Sequence, residues 1–240
     1  MAIYLTFTPL GDRGLIIELN CDDPTARSSV SGMVADKIRA LKVKGVTDIV
    51  PAFSKLAIHY DPIQWMPSSC DSPYDEIVRY LNQKLDGIEN DAEPAAVKMI
   101  HIPVCYDKKV GLDLLELSSY LNTSTNDLIQ LHCSNTYTVG AIGFAPGFPY
   151  LEGLDSLLSV SRRSEPRIRV PAGSVAIAAG YTGIYPSMLP GGWHIVGRTY
   201  VNLFETQENT GALLSVGDRV RFDPISIEEL NLHEASKDHK

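Results

Sequence analysis

Cysteine is scarce in this 240-residue chain: Cys21, Cys70, Cys105 and Cys133 stand singly with no C-x-x-C pair. That excludes a disulfide framework and zinc-ribbon spacing, and fits reduced thiols. No run approaches the roughly 18 apolar residues that a bilayer-spanning helix needs, and the start MAIYLTFTPLGDRG lacks the basic-then-apolar order of a secretory leader. The expectation is a cytoplasmic protein without a membrane partner. Positive charge is also short, with 21 Lys+Arg against 29 Asp+Glu and a net charge of -8, so nucleic acid is not an expected partner. The motifs G-x-x-x-x-G-K-[ST], G-x-G-x-x-G, H-E-x-x-H and G-x-S-x-G are missing, Ser174 lying in Ala172-Gly-Ser-Val-Ala176 without the outer glycines of a nucleophile elbow. A self-contained hydrolase or kinase is not visible. No cluster has metal-ligand spacing, so neither a metal nor a prosthetic group is expected.

What is present is a folding composition, 44% hydrophobic and 21% charged, which excludes wholesale disorder. Short β-branched runs at residues 3–8 and 14–19, parted by turn formers, predict a hairpin. Asp23-Pro24 opens a helix to about residue 41, strands follow at 46–50 and 55–60, and Ser72-Pro73 opens a second helix striped by Tyr74, Ile77, Val78, Leu81 and Leu85. The order β-β-α-β-β-α predicts an α+β N-terminal domain over residues 1–90, a ferredoxin-like layer with two helices on one sheet face. Residues 86–94 are acidic and broken by Gly and Pro, as a domain boundary would be. From there to the end, over 97–240, the pattern is a strand at 99–104, two short helices, and then short strands at 136–142, 168–170, 174–179, 194–201 and 219–222. Such spacing predicts a mainly β barrel or sandwich.

Candidate chemistry gathers in one third of the chain. Gly143-Phe-Ala-Pro-Gly-Phe-Pro-Tyr150 is a stiff segment whose Phe144, Phe148 and Tyr150 either plug a barrel end or line a flat ligand. Arg162-Arg-Ser-Glu-Pro-Arg-Ile-Arg169 puts four guanidinium groups into eight residues. On an extended chain Arg167 and Arg169 share a face and are able to grip one carboxylate or phosphate; the alternative is a solvated face with Glu165 pairing one arginine. Ser174, Tyr181, Thr182 and Trp193 lie in a glycine-rich stretch that suits either tight barrel corners or close approach of a ligand. His132 falls at the end of a short helix, where the dipole favours its imidazolium.

These pieces, with Pro9-Leu-Gly-Asp-Arg13, Ile102-Pro-Val-Cys-Tyr106, Val170-Pro-Ala-Gly-Ser-Val175, Thr182-Gly-Ile-Tyr-Pro186, Pro190-Gly-Gly-Trp193 and Gly217-Asp-Arg-Val-Arg-Phe222, closely resemble the family of 5-oxoprolinase B subunits (PxpB). It is also called allophanate hydrolase subunit 1, or the KipI-type kinase inhibitors. The resemblance covers nearly the whole chain and implies a cyclophilin-like barrel as the C-terminal domain. It implies a non-autonomous component of a 5-oxoprolinase that opens 5-oxoproline to glutamate with ATP as co-substrate, the C component being its nearest partner and the A component the other. Under that reading His132, Arg163, Arg167 and Arg169 are catalytic candidates, and Phe144, Phe148, Tyr150, Ser174, Tyr181, Thr182 and Trp193 line the substrate. Two other roles go with the family: inhibition of a sensor histidine kinase, and membership of a biotin-dependent urea or allophanate system. Tyr181 stands where the family usually has Gln, and Ala178-Ala179 replace common glycines, which bears on substrate choice.

Overall fold

The computed structural model describes residues 3–66, 71–87, 98–205 and 211–237. The chain divides into two compact units, Met1–Val97 and Lys98–Lys240. Cys70 and most of the acidic boundary segment lie outside the described residues.

In the first unit β1 (Ile3–Pro9) and β2 (Gly14–Cys21) form the expected hairpin, in unbroken antiparallel register from Ile3 opposite Cys21 to Pro9 opposite Leu15. Asp23 accepts a hydrogen bond from Thr25 N at 2.8 Å and caps a short 3-10 turn, Pro24–Ala26, which leads into α1 (Arg27–Ala40). Strands β3 (Val46–Ala52) and β4 (Lys55–Tyr60) follow, then α2 (Pro73–Leu85), opened by a capping box in which Ser72 and Asp75 satisfy each other's backbone N–H. The strand order is β1-β2-β4-β3, with β4 antiparallel to both β2 and β3. Alternate residues Leu15, Ile17 and Leu19 of β2 and Leu56, Ile58 and Tyr60 of β4 meet Val30, Val34 and Ile38 of α1 and Ile77, Leu81 and Leu85 of α2 in one core. Each fully buried aliphatic side chain there contributes about 1.5–3 kcal/mol. The α+β layer stands as expected.

The second unit contains β5 (Met99–Cys105), α3 (Leu114–Tyr120), α4 (Thr125–Ser134), β6 (Tyr137–Ile142), β7 (Pro149–Glu152), β8 (Arg167–Val170), β9 (Ser174–Ala178), β10 (Tyr181–Ile184), β11 (Leu189–Gly191), β12 (His194–Arg198), β13 (Phe204–Glu205), β14 (Gly211–Ala212), β15 (Arg219–Ile225) and α5 (Ile227–Lys237). Seven of these strands pair in the order β6-β15-β5-β12-β9-β10-β7, and β7 pairs back to β6, closing a barrel without a free edge. The barrel is mixed, because β5 and β15 run parallel while the other neighbours are antiparallel. It meets the cyclophilin-like expectation. Its interior takes side chains from every barrel strand, among them Ile102, Tyr137, Leu151, Val175, Ile177, Ile184, Val196 and Phe222. Strand β9 is buried on both faces: Val175 and Ile177 point inward, while Ala176 and Ala178 join a second apolar cluster with Ile195, Phe148, Tyr185 and Trp193. Among the described residues β8 pairs only with β11, as a separate two-stranded ribbon. Gly173, before β9, has φ +75°, and an added Cβ would lie 2.1 Å from Thr199 O, so backbone occupies the space of a side chain.

Candidate functional site

The arginine-rich segment is organised by a carboxylate. Asp113, just before α3, is 1% exposed and accepts four hydrogen bonds: Arg163 Nη1 at 2.8 Å, Arg167 Nη2 at 2.7 Å, Arg167 Nη1 at 2.8 Å and Ile195 N of β12 at 2.7 Å. Its own N–H donates to Ile195 O at 2.9 Å, so α3 and β12 are stitched together by a reciprocal pair. Arg163 N donates to Gly192 O at 2.8 Å, which ties the segment to the Pro190-Gly-Gly-Trp193 turn. The fork of Arg167 engages Asp113 through both terminal nitrogens, and that hydrogen bonding raises its already high pKa. The guanidinium side chains of Arg163 and Arg167 remain 23% and 24% exposed. Arg169 does not join them. It is exposed on β8, so the same-face pairing of Arg167 with Arg169 gives way to a pairing of Arg167 with Arg163 across Asp113.

The aromatic candidates form one layer beside this cluster. Phe148 is 2% exposed and meets Phe144, Tyr150, Tyr185 and Trp193 edge to face, with ring centroids 5.4, 5.1, 5.2 and 5.6 Å away. Tyr150 in turn meets Trp193 at 5.7 Å and Tyr181 at 6.4 Å. The layer covers the outer face of β9 and β12 instead of plugging a barrel end. Phe144 alone is strongly exposed, at 61%, on a backbone with φ +70°. Gly191 leaves room for the Tyr185 hydroxyl, 2.1 Å from where a Cβ would sit. Burial raises the Tyr185 pKa. Ser174, 2% exposed, lies on the face of β9 shared with Ala176 and Ala178.

His132 and Thr182 are brought together, but in the closed barrel core. Both are 0% exposed. Thr182 Oγ1 donates to Ala176 O at 3.1 Å, so it accepts from His132 Nε2–H at 2.9 Å, and His132 Nδ1 takes the Tyr106 hydroxyl at 2.8 Å. The imidazole stacks on Phe222 with centroids 4.7 Å apart, and the Tyr137 hydroxyl donates to the His132 carbonyl at 2.7 Å. Burial pushes the His132 pKa down to about 3 and outweighs the helix dipole that favoured an imidazolium. His132 is therefore a neutral hydrogen-bonding post, remote from solvent.

Asp113 was not legible in the sequence as a site residue. It opens an apolar helical run in the manner of an N-cap, yet its side chain makes no cap bond and serves the arginines instead. A second feature without a local signal is a cleft of about 360 Å³ between α3 (Glu116, Leu117, Tyr120) and the segment Val160–Ser164, with His194 of β12 on its wall. Among the described residues no group of three or more His, Cys, Asp or Glu is placed to hold a metal ion, and no helix is long and apolar enough to cross a membrane.

The chain combines an α+β unit with a closed mixed barrel that gathers the arginine and glycine signature at one side. The chain belongs to the family described as carboxyltransferase domain, subdomain C and D, whose model matches residues 5–214. It is 34% identical over 236 residues to the B subunit of 5-oxoprolinase from Bacillus subtilis, covering 97% of each chain. It is 32% identical to the protein of the same name from Escherichia coli O157:H7, covering 90% of this chain and 94% of that one. Among solved structures TTHA0988 superposes with a TM-score of 0.73 at 32% identity over 89% of this chain, which spans 40% of that protein.

Proposed function

We propose that this chain is the B subunit of an ATP-dependent 5-oxoprolinase of the cytoplasm, working with the A and C components to convert 5-oxoproline to glutamate. The observation that carries the reading is the 34% identity to the Bacillus subtilis relative over 97% of both chains, so that both units are included. An unactivated lactam is a poor electrophile. Transfer of the ATP γ-phosphoryl group to its carbonyl oxygen releases ADP; water then adds to the activated carbon, the adduct expels the ring nitrogen as a protonated amine to leave an acyl phosphate, and a second water hydrolyses that to glutamate and phosphate. Arg163 and Arg167, locked by Asp113, supply a preorganised cationic group for a carboxylate or for phosphoryl oxygens, with exposed Arg169 beside them in sequence. Phe144, Tyr150, Tyr181 and Trp193 supply flat walls, with Phe148 as their support. His132, neutral and sealed, belongs in this reading to the core with Thr182, and proton transfer falls to another chain. The N-terminal layer is read as ferredoxin-like with its last strand moved to the front, since β4 sits between β2 and β3 as in a split β-α-β unit. The test is a mixture of the three purified proteins: glutamate should form from 5-oxoproline and ATP, and omission of this chain should abolish it. Full turnover without it, or copurification with a histidine kinase in place of the A and C components, would refute the assignment.

A further inference from the structure

Strand β8 is an edge left open beside the candidate site. The barrel strands close on themselves, whereas among the described residues β8 has a neighbour on one side only, so half of its backbone N–H and C=O groups face away from β11. Within the ribbon β11 carries Pro190, which lacks an N–H, and β8 is the edge with its full set of donors. Its side chains are unusual for an edge. Ile168 is 86% exposed, more than any other large apolar side chain among the described residues, and Pro190, which stands opposite residues 168 and 169 across a bulge, is exposed with it. Met188, just before β11, is exposed as well. The ribbon is held in place from behind: Val170 and Leu189 pack into the aromatic cluster of Phe148, Tyr185 and Trp193, and Arg167 is pinned to Asp113 by both arms of its fork. A segment that docks here therefore loses little to ordering the strand. The charge is equally one-sided. Arg163 and Arg167 are held by Asp113, but exposed Arg162 and Arg169 have neither a hydrogen bond nor an ion pair among the described residues, in a chain whose net charge is -8. Charged side chains at an edge also serve to repel stray strands. A guard of that kind has no use for a strongly exposed isoleucine between two arginines, whereas an apolar centre flanked by cations complements an acidic strand with a hydrophobic midpoint. A second copy of this chain does not fit, since two such edges paired with each other set arginine against arginine.

We infer that β8 is the docking edge for an acidic, apolar-centred strand of the C component, which extends the β8–β11 ribbon, covers Ile168 and Pro190, and answers Arg162 and Arg169 with carboxylates. The identity of the companion rests on the 5-oxoprolinase reading; the open edge, its apolar centre and its free arginines do not. In the complex the candidate site lies at the junction of two chains, with the companion beside the Asp113-held arginines and the margin of the aromatic layer.

The test is the affinity of the full-length chain for the purified C component, measured by calorimetry for the wild type, for Ile168→Asp and, as a control in the first unit, for Ile63→Asp, whose side chain is also strongly exposed. Ile168→Asp should weaken binding at least about ten-fold, because it forfeits the burial of a whole isoleucine side chain and sets an anion against an acidic strand. Since Ile168 is exposed in the free chain, Tm should not fall. Ile63→Asp should bind as the wild type does. Wild-type affinity should drop as salt is raised, and binding should slow hydrogen exchange at the outward amides within residues 167–169. Absence of binding, unchanged affinity in Ile168→Asp, an equal loss in Ile63→Asp, salt-insensitive affinity, or no protection at 167–169 would each overturn the inference. So would self-association of the chain that Ile168→Asp abolishes. Turnover of the three-protein mixture that is unchanged in Ile168→Asp, at component concentrations below the wild-type Kd, would overturn the docking and leave the 5-oxoprolinase reading standing. Ile168-dependent, salt-sensitive binding of the C component in a mixture that forms no glutamate would do the reverse.

Discussion

Replacing Asp113 by Asn tests whether one buried carboxylate organises the arginine segment. The change keeps the shape and removes the charge that accepts from Arg163, Arg167 and Ile195 at 2.7–2.8 Å. Removing one partner of a buried ion pair costs about 3–5 kcal/mol, because the remaining charge stays desolvated. Here the two guanidinium groups keep 23% and 24% of their exposure, so the lower end, about 3 kcal/mol, is expected. For a chain of this size about 3 kcal/mol corresponds to roughly 6–12 °C in Tm. The second unit is read on its own by replacing Trp65 with Phe, which leaves Trp193 as the single tryptophan of the chain. The double variant Asp113→Asn/Arg167→Met should lose less than the two single changes added together, since neither group then stays unpaired by the other. A loss under about 2 °C for Asp113→Asn, or strict additivity in the cycle, would refute the proposed role of Asp113.

Three further outcomes follow from the geometry. His132 has a pKa of about 3 in the fold against an ordinary 6.5, so between those values the unfolded chain binds the extra proton; its contribution to stability is complete above about pH 6.5 and falls by about 1.4 kcal/mol per pH unit as pH drops towards 3. An NMR titration should show no imidazolium at His132 down to pH 4.5, whereas a midpoint near 6 would show that the core admits charge. Arg167→Lys keeps the charge but loses the planar fork, so turnover of the three-protein mixture should fall about ten- to a hundred-fold; unchanged turnover and Tm would return the cluster to a solvated face. Gly191→Ala should destabilise by about 1–3 kcal/mol in denaturant titrations, since a Cβ would meet Tyr185 Oη at 2.1 Å, and a neutral effect would deny that the hydroxyl is tightly seated.

Much of this fold is written in local pattern. Strands β5, β6, β9 and β15 read directly as β-branched runs, and the caps at Asp23 and Ser72 fixed where helical structure begins. Strands β7 and β10 did not read as strands. The former starts at Pro149 and the latter contains Gly183, both residues that weaken a strand signal; yet a Cβ at Gly183 would lie 2.8 Å from Pro149 O, so the glycine is what lets the two pair. At the site, period-2 reasoning joined Arg167 to Arg169, whereas the partner that decides the arrangement, Asp113, lies 50 and 54 residues from Arg163 and Arg167. No local pattern carries a contact of that separation. The position of His132 at a helix end was legible, but its enclosure among Tyr106, Tyr137, Thr182 and Phe222 depends on barrel closure, which is also non-local.

The most direct measurement of the proposed activity counts products in the complete mixture of this chain with the A and C components, supplied with 5-oxoproline and ATP. One glutamate should form for each ADP released, with neither product above background when this chain is omitted or tested alone. Glutamate formation that continues at full rate without the chain, or turnover by the chain alone, would contradict the assignment.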